Sequence, residues 1–424
     1  MKNQITIQPI KRQVRKTVAV PGSKSDTNRA LILAALTKGT VVIRGHLLSD
    51  DTRVMMDCLK TLGVKIRESK SSIAVVGSIF DVMEGEYFLH AGLSGTTIRF
   101  LTAMLAIVPG VKTISGEAGL NKRPIKDLVT ALQKLGTEIT YEENVGFPPL
   151  KITSRDFKKK TATINGSVSS QYLSAILMIA PLSGITKINI QGKQVSKSYV
   201  DLTLDSMKKF GVRVKNNDYK SYDIPQKEYR CREILVEGDF SAACYFAAIA
   251  VLAKSCITIK NCSPNSIQGD KEFFEILEKM GNSVEWGEDQ VIVCGKKLLP
   301  VNVDMENCPD QAQTLAVLCA FAKGKSILKG IQSLRVKETE RVVALENELS
   351  KMGIKTKSTK SALSIWGGEP VASEIDTYGD HRMAMSFAVA GTKLLGIKIN
   401  NPSVVSKTFP EFWEKLSIIT EGTI

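Results

Sequence analysis

Six short stretches concentrate residues that bind anions or move protons: GSKSDTNR at 22–29, NKRP at 121–124, CPDQ at 308–311, RVKETER at 335–341, YGDHR at 378–382 and VVSKTFP at 404–410. Their cations include Lys24, Arg29, Lys122, Arg123, Arg335, Lys337, Arg341, Arg382 and Lys407, and their carboxylates include Asp310 and Glu338. Arginine offers a planar fork that fits phosphate or carboxylate, and lysine a mobile point charge. Aspartate and glutamate transfer protons. The combination points to chemistry on small, multiply charged anions. PGSKS at 21–25 is not a nucleotide-phosphate loop, because that loop needs G-x-x-x-x-G-K-[ST] and no glycine stands at the required place upstream.

These stretches fall at fixed places in a repeat. An apolar helix, a short turn and a β-branched strand recur six times, ending at Gly45, Gly116, Gly192, Asn261, Gly330 and Asn401. An amphipathic helix closed by glycine follows each of the first five, with Gly63, Gly136, Gly211, Gly281 and Gly353 in the position of a left-handed C-cap. Each unit therefore reads helix, strand, helix, strand, with room for one more strand. Six such units divide into two α/β domains of three, within the usual range of domain size. The first helix of each unit is apolar almost all round and is expected to be buried, whereas the second is half polar and belongs nearer the surface.

The residues before each apolar helix are unusual. Ser169, Thr96, Asp239, Asp310 and Asp380 suit N-caps. Capping does not account for Lys24, Arg29, Arg99 and Arg382, because a cation at a helix start opposes the macrodipole. Arg99 has two readings, a ligand contact or an outward structural salt bridge. Lys24 and Arg382 call for an anion. Parallel helices within a domain would bring free N–H groups and positive dipole ends to one face. Two such faces would form a basic cleft.

Composition narrows the class. The chain has 424 residues, 43% hydrophobic, with 57 Lys and Arg against 43 Asp and Glu, a net charge of +14. The lysine run 158–160 reads as a solvated loop, and no aromatic-basic interleaving suggests a single-strand binder. The N-terminal stretch has no apolar signal core, and no window approaches a membrane span. Eight cysteines without a C-x-x-C pair and three histidines leave no zinc-type spacing, so reduced thiols in a cytoplasmic protein are expected.

In order along the chain, PGSKSDTNRA, SGTTIRFL, NKRPIKDLVTAL, GSVSSQYLSAILMIAPL, VSKSYVDLTL, VEGDFSAACYF, RVKETER, YGDHRMAM and SKTFPEF resemble the 5-enolpyruvylshikimate-3-phosphate (EPSP) synthase family over nearly the whole chain. The resemblance implies two domains of three βαβαββ units, the enolpyruvyl transferase-like inverted α/β barrel. One domain would comprise residues 1–21 and 239–424, the other 22–238, with hinges near 21–22 and 238–239. The implied reaction transfers the enolpyruvyl group of phosphoenolpyruvate to the 5-hydroxyl of shikimate 3-phosphate and releases phosphate, without cofactor, metal or covalent enzyme intermediate. A cytoplasmic monomer with glyphosate as competitor is the corresponding expectation, with no nucleic acid or membrane partner.

Carried over by motif, Lys24, Ser25, Arg29, Ser169, Ser170, Gln171, Ser196, Asp310, Ser333 and Lys337 would hold shikimate 3-phosphate. Lys24, Gly95, Arg123, Gln171, Arg341, Arg382 and Lys407 would hold phosphoenolpyruvate, with Arg341 and Arg382 as the carboxylate fork. Asp310 would be the base for the attacking hydroxyl, and Lys24 and Glu338 the candidates to protonate the methylene carbon. Leu93, Phe100, Ser333 and Gly119 depart from the family's usual residues. Two rivals are a UDP-N-acetylglucosamine enolpyruvyl transferase, which carries a reactive cysteine ahead of an Arg-Pro, and a basic nucleic-acid-binding protein. GEAGLNK before Arg123-Pro124 lacks that cysteine.

Overall fold

The computed structural model describes residues 3–69 and 71–420. The chain divides into two compact units, residues 22–236 and residues 1–21 with 237–424.

In the 22–236 unit three four-stranded sheets repeat one plan. In the middle one, Glu86–His90 runs parallel to Val111–Ser115 across the helix Gly95–Leu105. Val111–Ser115 then pairs antiparallel with Leu150–Thr153, which pairs antiparallel with Glu138–Tyr141. The helix Lys126–Leu135 lies between, giving βαβαββ. A parallel pair cannot be joined by a tight turn, so the apolar helix is the crossover the topology requires. The third repeat follows the same order from Thr161–Asn165 to Ser221–Asp223. The first repeat takes its leading strand from far along the chain: Glu233–Leu235 lies parallel to Thr40–Arg44.

The other unit repeats the device. Arg15–Ala19 lies parallel to Cys256–Lys260 and supplies the leading strand of the fourth repeat. The fifth repeat is continuous from Asn302–Asp304 to Ala362–Gly367. The sixth is completed by Gln4–Thr6, antiparallel to Lys398–Asn400.

The apolar helices are the cores. Lys24–Ala35, Gly95–Leu105 and Ser170–Ile179 pack together in one unit, and Phe240–Leu252, Ala312–Phe321 and His381–Gly391 in the other. Every residue of His381–Gly391 is buried, as is all of Phe240–Leu252 except Ser241. The second helices bury one stripe; Lys126–Leu135 covers Leu128, Val129, Ala131, Leu132 and Leu135. Gly63, Gly136, Gly211, Gly281 and Gly353 all sit at φ between +76° and +123°, the left-handed exit expected of them. Lys158, Lys159 and Lys160 are exposed.

The expectation of reduced thiols is corrected at one place. Cys256 and Cys294 stand directly opposite on paired antiparallel strands and are joined as a disulfide. Strand register, which brings residues 38 apart in sequence face to face, created a pair that spacing did not reveal. No helix among the described residues is long and apolar enough to cross a membrane.

Candidate active site

In the 22–236 unit the helix starts come together through side chains. The Gln171 amide donates to Thr96 Oγ1 at 3.2 Å, linking the second residues of Ser170–Ile179 and Gly95–Leu105. Arg99 lies one turn further on. Its Nη1 donates to Gln171 Oε1 and its guanidinium sits over the Tyr172 ring, 5.5 Å from the centroid. Arg99 is buried, so the outward reading of it is overturned: its guanidinium is turned inward between the Gln171 amide oxygen, the Tyr172 ring and the Pro124 carbonyl.

Lys24 opens its helix and donates to Asp51 Oδ2 at 2.8 Å, with Ser23 capping behind it through Asp26 N. Asp51 is buried, and the Thr97 hydroxyl donates to its carbonyl at 3.4 Å. Arg29 is pinned on three sides. Nε donates to Thr203 Oγ1 at 2.8 Å, Nη1 to the Ser25 carbonyl and Nη2 to the Tyr199 carbonyl, both at 3.0 Å. Its guanidinium sits 5.4 Å from the Phe100 centroid, so the departure at 100 supplies a buried aromatic platform. Burial pushes Arg29 down to about 10, with Asp26 and Tyr199 opposing.

Two further departures are neighbours. A Cβ at Gly119 would stand 3.3 Å from Leu93 Cδ2, so glycine at 119 eases that contact by a few tenths of an ångström against an exposed side chain. Gly95 has a similar duty toward Arg123. A Cβ there would lie 2.7–2.9 Å from the guanidinium atoms, closer than van der Waals packing allows. Gly95→Ala is therefore expected to displace Arg123. A crystal structure of the variant checks this, with a melting temperature expected close to wild type; an unmoved Arg123 overturns it.

Ser169 caps its helix by accepting from Gln171 N, with Ser170 first in the helix. Ser196 sits in left-handed backbone at φ 51°, ahead of Lys197–Lys209, and Ser333 is half-buried in the 3-10 turn Gln332–Val336. Neither forms part of the side-chain clusters described here.

The second cluster belongs to the other unit. Asp310 lies in the 3-10 turn Pro309–Gln311 just before Ala312–Phe321. Its Oδ1 accepts from Arg341 Nη1 at 3.0 Å and faces Lys337 Nζ at 3.3 Å, while Oδ2 accepts from Arg382 Nη2 at 3.1 Å. Arg382 Nη1 also donates to the Asp310 carbonyl at 3.2 Å and Nη2 to Ser241 Oγ at 3.3 Å. Three helix approaches thus meet at Asp310, Ser241 and Arg382. Arg341 is almost fully buried. Nε donates to Asp380 Oδ2 at 2.7 Å and Nη2 to Glu338 Oε2 at 2.9 Å, and Lys407 Nζ donates to Glu338 Oε1 at 2.9 Å.

Burial pushes the Asp310 carboxyl up, but Arg382, Lys337 and Arg341 outweigh it and hold it well below the usual carboxylate range. Its folded value is depressed, so the stability it confers is present above the unfolded carboxylate range and is lost as pH falls through the folded value. For Arg341, burial works against the charge, and Asp380, Glu338 and Asp310 reverse it to a net upward shift.

Two capping assignments change. Ser94, not Thr96, caps its helix, accepting from Thr97 N at 3.3 Å, because the helix begins one residue before Thr96. Asp310 caps nothing; its side chain is drawn to the cations. Ser169, Asp239 and Asp380 do cap. Asp380 does more than cap, since Oδ1 accepts from Arg382 N at 2.8 Å while Oδ2 holds Arg341. The counter-charge Asp51 carries no motif signal, although it follows Asp50 in an acidic helix start, and the hydroxyls of Ser241 and Tyr245 lie in VEGDFSAACYF without being singled out as site residues.

Comparison with known proteins adds to this geometry. The family model described as EPSP synthase (3-phosphoshikimate 1-carboxyvinyltransferase) matches residues 8–416. The 3-phosphoshikimate 1-carboxyvinyltransferase of Sulfurovum sp. strain NBC37-1 is 43% identical over 429 residues, covering 99% of each chain. That of Vibrio atlanticus strain LGP32 is 42% identical over 428 residues, covering 98% of this chain and 99% of the other. The structure of EPSP synthase from Acinetobacter baumannii superposes with a TM-score of 0.82 at 26% identity, over 98% of each chain. The enolpyruvyl transferase NikO from Streptomyces tendae, at 17% identity, shares the fold with a TM-score of 0.75 over 98% of this chain and 97% of its own. With a family match that spans all six repeats and relatives aligned end to end, this chain belongs to the EPSP synthase family.

Proposed function

We propose that this chain transfers the enolpyruvyl group of phosphoenolpyruvate to the 5-hydroxyl of shikimate 3-phosphate, forming 5-enolpyruvylshikimate 3-phosphate and phosphate, as a cytoplasmic monomer acting on two small anions. Replacing phosphate by an alcohol at a vinyl carbon by addition and elimination requires a base for the hydroxyl proton and an acid for the methylene carbon, and a proton returns from the resulting methyl group to base as phosphate leaves. The observation that carries this reading is Asp310. Its carboxylate stands where three helix approaches meet, kept basic-form by Arg341, Arg382 and Lys337. It is the base for the hydroxyl, and Lys24 and Glu338 are the candidate acids for the methylene carbon.

Arg382 and Arg341 take the carboxylate of phosphoenolpyruvate, while Lys24, Arg123, Gln171, Lys407 and the Gly95 N–H serve its remaining oxygens. Ser25, Arg29, Ser169, Ser170, Gln171, Ser196, Ser333 and Lys337 hold shikimate 3-phosphate. The charged groups Arg341 and Arg382 are already fixed by protein carboxylates, so little reorganisation remains when charge develops in the transition state.

The test is phosphate release with each substrate omitted in turn. Release is expected only with both shikimate 3-phosphate and phosphoenolpyruvate present, and not when UDP-N-acetylglucosamine replaces the former. No release with the two together would sink the assignment. Tight, salt-steep binding of DNA in a gel shift would support the nucleic-acid reading instead.

A further inference from the structure

We propose that Asp270 is a positioning residue for Arg382, acting through the hydroxyl of Ser241, and that its carboxylate form keeps Arg382 set for phosphoenolpyruvate. The proposal rests on the reading of Arg382 as a phosphoenolpyruvate ligand.

Asp270 lies in the 3-10 turn Gly269–Lys271, 6% exposed, against the start of Phe240–Leu252 and the turn Pro309–Gln311. Its Oδ2 accepts the hydroxyl of Ser241, and its Oδ1 has no partner. A serine hydroxyl has one hydrogen. With that hydrogen committed to Asp270, the Ser241 oxygen turns lone pairs toward Arg382 Nη2, 3.3 Å away. The same nitrogen holds Asp310 Oδ2 at 3.1 Å, and Nη1 faces the Tyr245 hydroxyl at 3.4 Å. Ser241 and Asp310 therefore share Nη2 and together fix the direction of its two hydrogens. A neutral Asp270 can itself donate a hydrogen to Ser241, which releases that rotor and the aim of Arg382.

The groups facing Asp270 are Asp239 and Cys244 from the Phe240–Leu252 helix and its cap, Asp310 from the turn Pro309–Gln311 with Cys308 just before it, and Arg382. Burial pushes the Asp270 carboxyl up to about 6; Arg382 opposes this and Asp310 adds to it. Burial also pushes the Cys244 and Cys308 thiols far up, so both are neutral. An acid whose folded value is raised costs stability once pH exceeds its unfolded value. The carboxylate is thus kept against the interest of folding, as expected of a group retained for a site.

The experiment measures the phosphoenolpyruvate KM for Asp270→Asn, Ser241→Ala and Arg382→Lys from pH 5 to 8, at saturating shikimate 3-phosphate. Asp270→Asn keeps the shape and removes the charge; Ser241→Ala removes the relay should the first variant fold poorly. At pH 7.5 both are expected to raise this KM about tenfold, equivalent to about 1.4 kcal/mol. kcat and the shikimate 3-phosphate KM should move far less, and the melting temperature of Asp270→Asn should be equal or higher. The last phosphate proton of phosphoenolpyruvate titrates in the same pH range, so the quantity read is the ratio of variant to wild-type KM. For Asp270→Asn that ratio should fall toward one as pH drops through about 6, where the wild type loses its own carboxylate. A ratio flat with pH, or a KM sensitive to Arg382→Lys but indifferent to both other variants, overturns the link. A KM indifferent to Arg382→Lys overturns the proposal at its root, through the role of Arg382.

Discussion

Asp310→Asn is expected to lower kcat by about 10²- to 10⁴-fold, the usual worth of a positioned proton-transfer group. The substitution preserves the shape of the side chain and an acceptor oxygen for one of Arg341 and Arg382. In the proposed reaction it removes the group that would accept the proton of the attacking hydroxyl. The carboxylate of the wild type is held far below neutral pH by its three cations, so the loss should be uniform across the working pH range and should not be recovered in alkaline buffer. Single-turnover phosphate release with both substrates saturating is the measurement. A variant within tenfold of wild type would show that another group takes the proton. The melting temperature should fall as well, because Lys337 and Arg382 lose a counter-charge, and comparing the two losses separates proton transfer from scaffolding.

Arg341→Met should produce the largest loss of stability. The guanidinium is 1% exposed and holds three carboxylates: Asp310, Glu338 and Asp380. Methionine fills much of the volume but leaves those acids with less compensation. Removing one partner of a buried ion pair typically costs about 3–5 kcal/mol. For a domain of this size that corresponds to a fall of roughly 6–20 °C, at 2–4 °C per kcal/mol. Differential scanning calorimetry checks it. The double variant Arg341→Met with Asp380→Asn should lose less than the sum of the single losses, since neutralising Asp380 relieves the burden that methionine creates. Additive losses would mean that Arg341 and Asp380 act independently despite their 2.7 Å contact.

The repeat was legible because its signals are local. A helix buried on all sides reads as a run of Ala, Leu, Ile and Met wherever it stands, and a left-handed exit selects glycine at each of five positions. The leading strands of the first and fourth repeats were not legible in the same way. Glu233–Leu235 and Arg15–Ala19 are short, and their partners lie about 190 and 240 residues away, where no local pattern reaches. The cations of the candidate site stood out because a positive charge at a helix start is costly. Their counter-charges did not: Asp51 and Asp380 sit where acidic residues are ordinary helix starters. Gln171 reads as a ligand residue from its motif, but the direction of its partner Arg99 does not, because inward and outward rotamers share one sequence.

The strand Arg15–Ala19 also constrains how the protein is made. A ribosome releases it early, yet Cys256–Lys260, beside which it belongs, emerges about 240 residues later. At 5–20 residues per second that is a delay of roughly 12–50 s. Residues 22–236 hold every strand of their own three sheets and can complete them during the delay, while the early strand waits as an open edge. Lys11, Arg12, Arg15 and Lys16 keep it charged and poorly suited to pairing with a neighbouring nascent chain. A product truncated before residue 256 would carry that edge permanently, which makes premature termination in this stretch an aggregation hazard that termination before residue 15 is not.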